Sequence, residues 1–180
     1  MMAMAKQART QPKGGKKSYH HGDLRAVLLD ETARILREEG EDALSLRYLA
    51  ANIGVSRTAP YHHFKDKQSL LCAVAEEGFV RFNVAMKAAM KRVRGREGRE
   101  IIRGYVQAYV DFAVNNAEYY DLMYGGRVWR SEQLTDSLVS LARDTLRADI
   151  RRIRGWQNMG FVAEGLDAVR FAQVAWGTYH

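Results

Sequence analysis

The side chains best suited to chemistry lie close together between residues 44 and 67. The interval from Arg47 to Lys67 holds four lysines and arginines, several aromatic and hydroxyl groups, and one acid, Asp66. Such a set suits a polyanion, because cations neutralise phosphates while hydrogen-bonding and apolar groups reach base edges. We therefore expect a surface for double-stranded DNA, with the candidate residues Ser45, Arg47, Ser56, Arg57, Thr58, Tyr61, His62, His63, Lys65 and Lys67.

A second set of candidates is rich in aromatic side chains and falls between Tyr105 and Trp129. Large side chains at helical spacing are typical of a bundle core, so most of this set is expected to pack inside the protein. The alternative is an apolar pocket in which tyrosine hydroxyls orient a small molecule. The candidates for that ligand site are Tyr105, Tyr109, Phe112, Tyr120, Met123, Tyr124 and Trp129.

The remaining residue types give little support to a metal site or an enzyme. The five histidines include two adjacent pairs, His20 with His21 and His62 with His63. Neighbours on a helix point about 100° apart, so neither pair chelates well by itself. A Gly-rich phosphate loop, a nucleophile motif and paired acids in an apolar setting are all missing from the sequence. We expect no cofactor, no metal and no enzymatic activity.

The elements that must position these residues are predicted to be helices. Apolar residues recur at helical spacing, and after residue 22 the chain has one proline, Pro60, and no alternating run of β-branched residues. Ser45, Ser56 and Asp66 are suited to be N-caps. The expected helices cover residues 23–39, 46–52, 56–64, 66–95, 100–116, 118–124, 131–155 and 165–180, which makes the fold class all-α.

Composition divides the chain into three segments. Residues 1–19 carry five basic side chains, no acid and no apolar periodicity, which predicts a flexible basic arm. Residues 20–66 form the expected head, and residues 67–180 form a larger helical body. The break at Gly95 to Gly98 is a candidate hinge within this body.

Residues 46–64 have the spacing of a helix-turn-helix. Ala50 is small enough for a close helix crossing, and Gly54, four residues later, tolerates positive φ in the turn. An ordinary helical hairpin that uses Gly54 only as a C-cap is the alternative, since this pair of residues is a weak pattern. The expected apolar seam is Leu46, Leu49, Ile53, Val55 and Phe64, which turns Arg57, Thr58, Tyr61, His62 and His63 outward.

This segment resembles the DNA-binding signature of the tetracycline-repressor (TetR) family. The resemblance is carried by Gly54-Val55-Ser56-Arg57 and by Tyr61-His62-His63-Phe64-Lys65-Asp66-Lys67, followed by Leu70-Leu71, and covers about residues 20 to 80. It implies a three-helix DNA-binding head on a helical body that binds a small-molecule effector and forms a homodimer. The implied activity is transcriptional regulation, by a repressor that leaves an inverted-repeat operator when the effector binds.

The resemblance also implies individual roles. Ser45, Tyr61 and Lys67 would hold phosphates, while Arg57, Thr58 and His62 would face the groove; His63 could equally turn towards the backbone. The sequence departs from the usual pattern at Pro60, where leucine is common, but a subgroup of the family has Ala-Pro-Tyr there. A proline early in a helix removes at most one hydrogen bond, so we expect Pro60 to be tolerated.

The C-terminal end resembles the same subgroup, whose body carries a Trp-x-x-x-His-Gly element. Residues 176–180 match that element up to the histidine, and a further interface helix would come next in the resembled proteins, so we expect a truncated version of a longer protein. The helix over residues 165–180 would then lie at the dimer axis, with Val169, Gln173 and Trp176 as the interface candidates. Dimerisation is expected to be weakened.

Charge and length limit the remaining function classes. The 180 residues can bury one sizeable core, and a net charge of +7 favours nucleic acid or an anionic membrane surface without choosing between them. No stretch approaches the roughly 18 apolar residues of a membrane-spanning helix, so we expect a cytoplasmic protein without membrane partners.

A single cysteine, Cys72, agrees with a reducing compartment and is expected in the core; a redox-sensing thiol is the alternative. A ligand-independent DNA binder and a small helical carrier or enzyme remain as alternative functions.

Overall fold

The computed structural model describes the backbone of residues 23–178 and the side chains of residues 23–174. Every regular element in this part of the chain is helical, which confirms the predicted all-α class. The predicted basic arm, with His20 and His21, lies outside the described residues. The α-helices are α1 (Leu24–Glu38), α2 (Leu46–Ile53), α3 (Lys67–Arg92), α4 (Gly98–Asn115), α5 (Ala117–Tyr124), α6 (Gly126–Trp129), α7 (Asp136–Asn158) and α8 (Ala168–Thr178).

Side-chain caps fix the starts of the first two helices. Asp23 accepts a hydrogen bond from the Ala26 amide at 3.0 Å, and Ser45 Oγ accepts one from the Tyr48 amide at 3.1 Å. Each cap satisfies an amide that has no partner within its helix. After α2, Gly54 adopts φ +73, a conformation that L-residues with a Cβ rarely take, and this turns the chain towards the next segment.

The third helix predicted over residues 56–64 is wrong in extent and type. The structure has a single turn of 3-10 helix, Ala59–His62, preceded by a turn at Arg57 and Thr58. Pro60 has no N–H to donate to the Ser56 carbonyl, as an α-helix requires, so the Ala59 amide bonds that carbonyl at 3.0 Å in the tighter pattern. Ser56 Oγ lies 3.2 Å from Thr58 Oγ1 and does not cap this turn. Pro60 itself is buried in the first turn.

Helix α3 is the first helix of the body, and it also packs against α1 of the head. Asp66 and Ser69 form a reciprocal capping box at its start, as expected from an Asp N-cap. Its 26 residues reach about 39 Å at 1.5 Å per residue. Helices α1, α4, α5, α6 and α7 all pack against it. Phe79 and Phe82 are fully buried along its length, and Gly78 allows the Met123 side chain of α5 to approach closely.

The body helices differ from prediction at their ends. The last two helices begin later than expected, α7 at Asp136 and α8 at Ala168. Thr135 caps α7, because its hydroxyl accepts from the Leu138 amide at 3.3 Å. The short α6 in the body and a 3-10 turn at Glu41–Ala43 in the head were not predicted. A four-residue helix carries too little periodicity to be recognised in a sequence.

One apolar core runs through both predicted segments. It joins Leu28 and Leu49 of the head to Phe82 and Met123 of the body, and Cys72 is part of it. Burial also raises the pKa of the Cys72 thiol, in agreement with the predicted core role. A second, smaller core lies where α7 meets α8, around Ile153, Trp156, Ala168 and Ala172. None of the helices in residues 23–178 combines the length and apolar character needed to cross a membrane.

Candidate nucleic-acid interface and body cavity

The segment after the Gly54 turn presents an almost continuous polar surface. Between residues 56 and 65, Pro60 and Phe64 are buried and Ala59 is half-buried. The two buried rings anchor the segment to the head, so its backbone is held while the other side chains point outward. The exposed residues are Ser56, Arg57, Thr58, Tyr61, His62, His63 and Lys65, all of them predicted candidates.

The cations of this surface are not neutralised by neighbouring acids. Among residues 23–174, no carboxylate forms an ion pair with Arg47, Arg57 or Lys65, and all three side chains are exposed. Asp66, the acid of this stretch, accepts the Ser69 amide at 2.7 Å as the cap of α3. The surface therefore keeps its positive charge available for an anionic partner.

Lys67 differs from the other candidate cations. Its Nζ donates to the Glu41 carbonyl at 2.7 Å and lies 3.8 Å from the Glu41 carboxylate. Arg127 of α6 donates to the other oxygen of the same carboxylate at 3.0 Å. Glu41 of the head thus contacts two body helices, α3 and α6, and a phosphate would have to share Lys67 with it.

The two hydroxyl groups expected to hold phosphates, those of Ser45 and Tyr61, are both exposed. The Tyr61 side chain is 49% exposed, and Ser45 is exposed at the start of α2. The Ser45 oxygen accepts its capping bond, which leaves its O–H able to donate to a phosphate. Both fit the role that the resemblance implies, and neither side chain is needed in the core.

One residue beside this surface was missed in the sequence. Arg25, in the first turn of α1, is exposed, and its guanidinium carbon lies 5.6 Å from the centre of the Phe64 ring. The arginine therefore sits next to the segment of residues 56–65. Because Arg25 and Phe64 are far apart in the chain, only the packing of α1 against Phe64 reveals that they are neighbours.

A cavity of about 290 Å³ lies in the body between α4, α7 and α8. Its volume is close to the lower end of the range for small-molecule sites, and its wall is mainly apolar and aromatic. Helix α4 contributes one side of the wall, and α7 with the α7–α8 connection and α8 contributes the other. The aromatic lining residues are Tyr105, Tyr109, Trp156 and Phe171.

One corner of this cavity is polar. The Tyr105 hydroxyl donates to Asp149 Oδ1 at 2.8 Å, and Arg152 Nη1 donates both to the same carboxylate oxygen and to the Tyr105 oxygen, the latter at 3.1 Å. The Arg152 guanidinium also stacks on the Tyr105 ring at 4.5 Å. Burial, and then the neighbouring Asp149 charge, raise the pKa of the Tyr105 phenol, which therefore stays protonated.

Two of the seven predicted ligand residues, Tyr105 and Tyr109, line this cavity. Phe112, Met123 and Tyr124 instead belong to the main core, where Phe112 packs edge-on against Phe82 at 5.3 Å. The remaining two candidates, Tyr120 and Trp129, are half-buried beside that core. They are held by hydrogen bonds, Tyr120 to the Tyr109 hydroxyl at 3.0 Å and Trp129 to the Met123 carbonyl at 2.7 Å.

The predicted interface residues lie on α8. Val169 is half-buried and Gln173 is exposed, while the side chain of Trp176 lies outside the described residues. Ala168 and Ala172 form the inner face of the helix. Phe171, which also lines the cavity, and Val174 are large apolar residues that are about half exposed. As for metal ligands, the described part of the chain brings no three His, Cys, Asp or Glu side chains together.

Comparison with known proteins agrees with this geometry. Residues 28–74 match the family described as bacterial regulatory proteins, tetR family. The HTH-type transcriptional repressor Rv1474c of Mycobacterium tuberculosis is 38% identical over 79 residues, which cover 44% of this chain and 38% of the repressor. The uncharacterized HTH-type transcriptional regulator YobS of Bacillus subtilis is 27% identical over 121 residues, covering 67% and 62%. The chain thus spans about two fifths to three fifths of the length of these relatives.

Solved structures extend the similarity to the body. A protein of unknown function from Rhodococcus sp. RHA1 is 37% identical, with a TM-score of 0.76 over 92% of this chain and 83% of that chain. The TetR family regulator PfmR from Thermus thermophilus is 21% identical, with a TM-score of 0.62 over 82% and 79%. The second likeness concerns the fold alone, but it includes head and body together.

Proposed function

We propose that this chain is a transcriptional regulator of the tetR family that binds an inverted-repeat operator as a homodimer, since residues 28–74 match that family of bacterial regulatory proteins. The observation that carries this proposal is the exposed segment of residues 56–65, anchored by Pro60 and Phe64 and free of acids. The Mycobacterium tuberculosis relative is named a repressor, and we extend repression to this chain. Such a protein would act in the cytoplasm, where bacterial DNA lies.

We assign two kinds of contact within the DNA surface. Arg57, Thr58 and His62 would reach base edges, because they are exposed directly after the turn that presents the segment. Arg25 would hold a phosphate, since it lies beside Phe64. The same role falls to Ser45, Tyr61 and Lys67, supported by Arg47, Ser56, His63 and Lys65.

The cavity in the body is the proposed effector site. It offers an apolar volume with one polar corner, which is the usual composition of a small-molecule site. Tyr105 and Tyr109 would contact the effector, whereas the core positions of Phe112, Met123 and Tyr124 argue against direct contact by these three. Effector binding would release the operator, because a ligand shifts the protein towards the conformation that it binds better.

Two copies of the chain would form the homodimer by pairing through α8. Two heads can occupy an inverted repeat only if the body holds them at a fixed separation, about one helical turn of DNA or a multiple of it. The exposed apolar side chains of Phe171 and Val174 favour α8 as the pairing surface, with Val169, Gln173 and Trp176 near the axis. Membership of the Trp-x-x-x-His-Gly subgroup is part of the same proposal.

Selection of binding sites from random duplex DNA tests the proposal. We expect the full chain to enrich an inverted repeat whose half-sites lie about one helical turn apart. Enrichment of an asymmetric site would remove the dimer from the proposal. A failure to enrich any motif, with retention of duplexes regardless of sequence, would indicate a non-specific DNA binder, and no retention at all would favour the carrier function.

A further inference from the structure

Among the described residues that line the body cavity, the charges sum to zero. Of its lining residues, Asp149 and Arg152 carry charge, and they pair with each other at the polar corner. Both are largely removed from water, with 11% of the Asp149 side chain and 21% of the Arg152 side chain exposed. The described lining residues offer a third ionic group no further opposite charge, so burying such a group in this corner would be costly.

The corner also has hydrogen-bond donors for a ligand acceptor. Arg152 makes its two hydrogen bonds through Nη1, and a guanidinium carries five N–H donors, so it has the capacity to serve a ligand oxygen as well. The Asp149 oxygen already accepts from Tyr105 and Arg152. A ligand ammonium would be repelled by Arg152, and a ligand carboxylate would lie beside Asp149.

The rest of the cavity limits the size and polarity of an occupant. The volume of about 290 Å³ is close to the lower end of the range for small-molecule sites, so the cavity suits a small ligand. The wall on the α4 side ends in Val106 and Val110, which are 49% and 41% exposed and make an apolar rim. A somewhat longer apolar chain could therefore extend past these valines.

We infer that this cavity binds an uncharged, mainly apolar small molecule whose polar end is a hydrogen-bond acceptor, such as an ester or ketone. The acceptor oxygen lies at Arg152, and the hydrocarbon part lies between Ile102, Ile153 and Trp156. The inference rests on the proposed function only in taking this molecule as the effector.

The test compares two probes that differ in charge. Methyl heptanoate and heptanoate are titrated into the full chain at neutral pH, with tryptophan fluorescence as the readout, because Trp156 lines the cavity 5.4 Å from the Tyr105 ring. We expect the ester to bind at least about tenfold more tightly than the carboxylate, since the carboxylate must lose its hydration without gaining a counter-charge. Equal affinities, tighter binding of heptanoate, or no binding of either probe up to the solubility limit would overturn the inference.

A single substitution should reverse the preference. Asp149→Asn leaves the Arg152 charge unbalanced while keeping a side chain of the same shape, so heptanoate should bind more tightly than the ester. The control is Arg151→Gln, which changes the charge of an exposed neighbour on α7 by one unit and should leave both affinities unchanged. An Asp149→Asn protein that is folded by circular dichroism and still prefers the ester would contradict the charge argument. The wild-type comparison of the two probes stands without this variant.

Failure of this inference and failure of the proposed function can be separated. Operator selection uses the protein without any probe, so an enriched inverted repeat would uphold the regulator even if heptanoate binds better. Conversely, a chain that prefers the ester but enriches no DNA motif would keep the cavity chemistry and lose the regulator.

Discussion

Arg57 and His62 are the side chains whose loss should change the base preference of the protein. Replacing either by alanine should cost about 1 to 3 kcal/mol on the selected site and relax the choice of base at one position in each half-site. Site selection repeated with each variant measures this. Arg143→Ala is the matched control, because Arg143 is an exposed arginine of α7 in the body. A motif identical to that of the wild type would mean that neither residue reads bases.

Lys67 should contribute to affinity and not to specificity. Lys67→Ala should weaken binding to all duplexes alike and lower the slope of log K against log salt by about one unit. Titrations at several salt concentrations measure the slope, and Lys87→Ala, an exposed lysine farther along α3, should leave it unchanged. An unaltered slope for Lys67→Ala would mean that its bond to the Glu41 carbonyl persists on DNA.

At the scale of elements, the turn at Gly54 can be tested by comparing two glycines that both have room for a methyl group. No atom lies within 4 Å of a Cβ built on Gly54 or on Gly155, but Gly54 has φ +73 whereas Gly155 lies within α7. Gly54→Ala should therefore lower the free energy of unfolding by about 1 to 2 kcal/mol. Gly155→Ala should raise it by about 0.5 to 1 kcal/mol. Urea denaturation measures both, and a neutral Gly54→Ala would show that the turn carries no strain.

The helices that the sequence predicts well are those with local capping signals. Ser45 and Asp66 each accept an amide three residues ahead, and the helices that follow them begin as expected. The segment after Ser56 departs from prediction because Pro60 removes a bond that helical periodicity does not register. The capping side chains were therefore sufficient to predict where the helices after Ser45 and Asp66 begin. After Ser56, the missing N–H of Pro60 prevented the predicted α-helix.

The two candidate sites differ in how far the sequence could predict them. The DNA surface is one short segment, so side-chain types and the apolar pattern were enough to propose its residues. The cavity joins Tyr105 of α4 to Asp149 and Arg152 of α7, more than 40 positions away, and neither charged residue was recognised as a candidate. Helical spacing also cannot tell a core aromatic from one that lines a cavity, which is why Phe112 and Tyr105 were grouped together.

At the scale of the whole molecule, the dimer axis can be tested by charge. A residue near a two-fold axis faces its own copy, so Gln173→Glu would bring two like charges together and should weaken the dimer. Sedimentation at low micromolar concentration should show more monomer for this variant than for the wild type. Gln133→Glu adds the same charge at an exposed position before α7 and should leave the dimer intact. A dimer unaffected by Gln173→Glu would lie on another surface.

The central claim is that the chain recognises a particular DNA sequence, and the most direct measurement is the ratio of two affinities. The full chain is titrated by fluorescence anisotropy into the selected duplex and into a scrambled duplex of the same composition, both at about 0.15 M salt. We expect the selected duplex to bind at least about 10³-fold more tightly, as it does for specific regulators. Equal affinities for the two duplexes would contradict it, since the positive surface would then bind phosphates without reading bases.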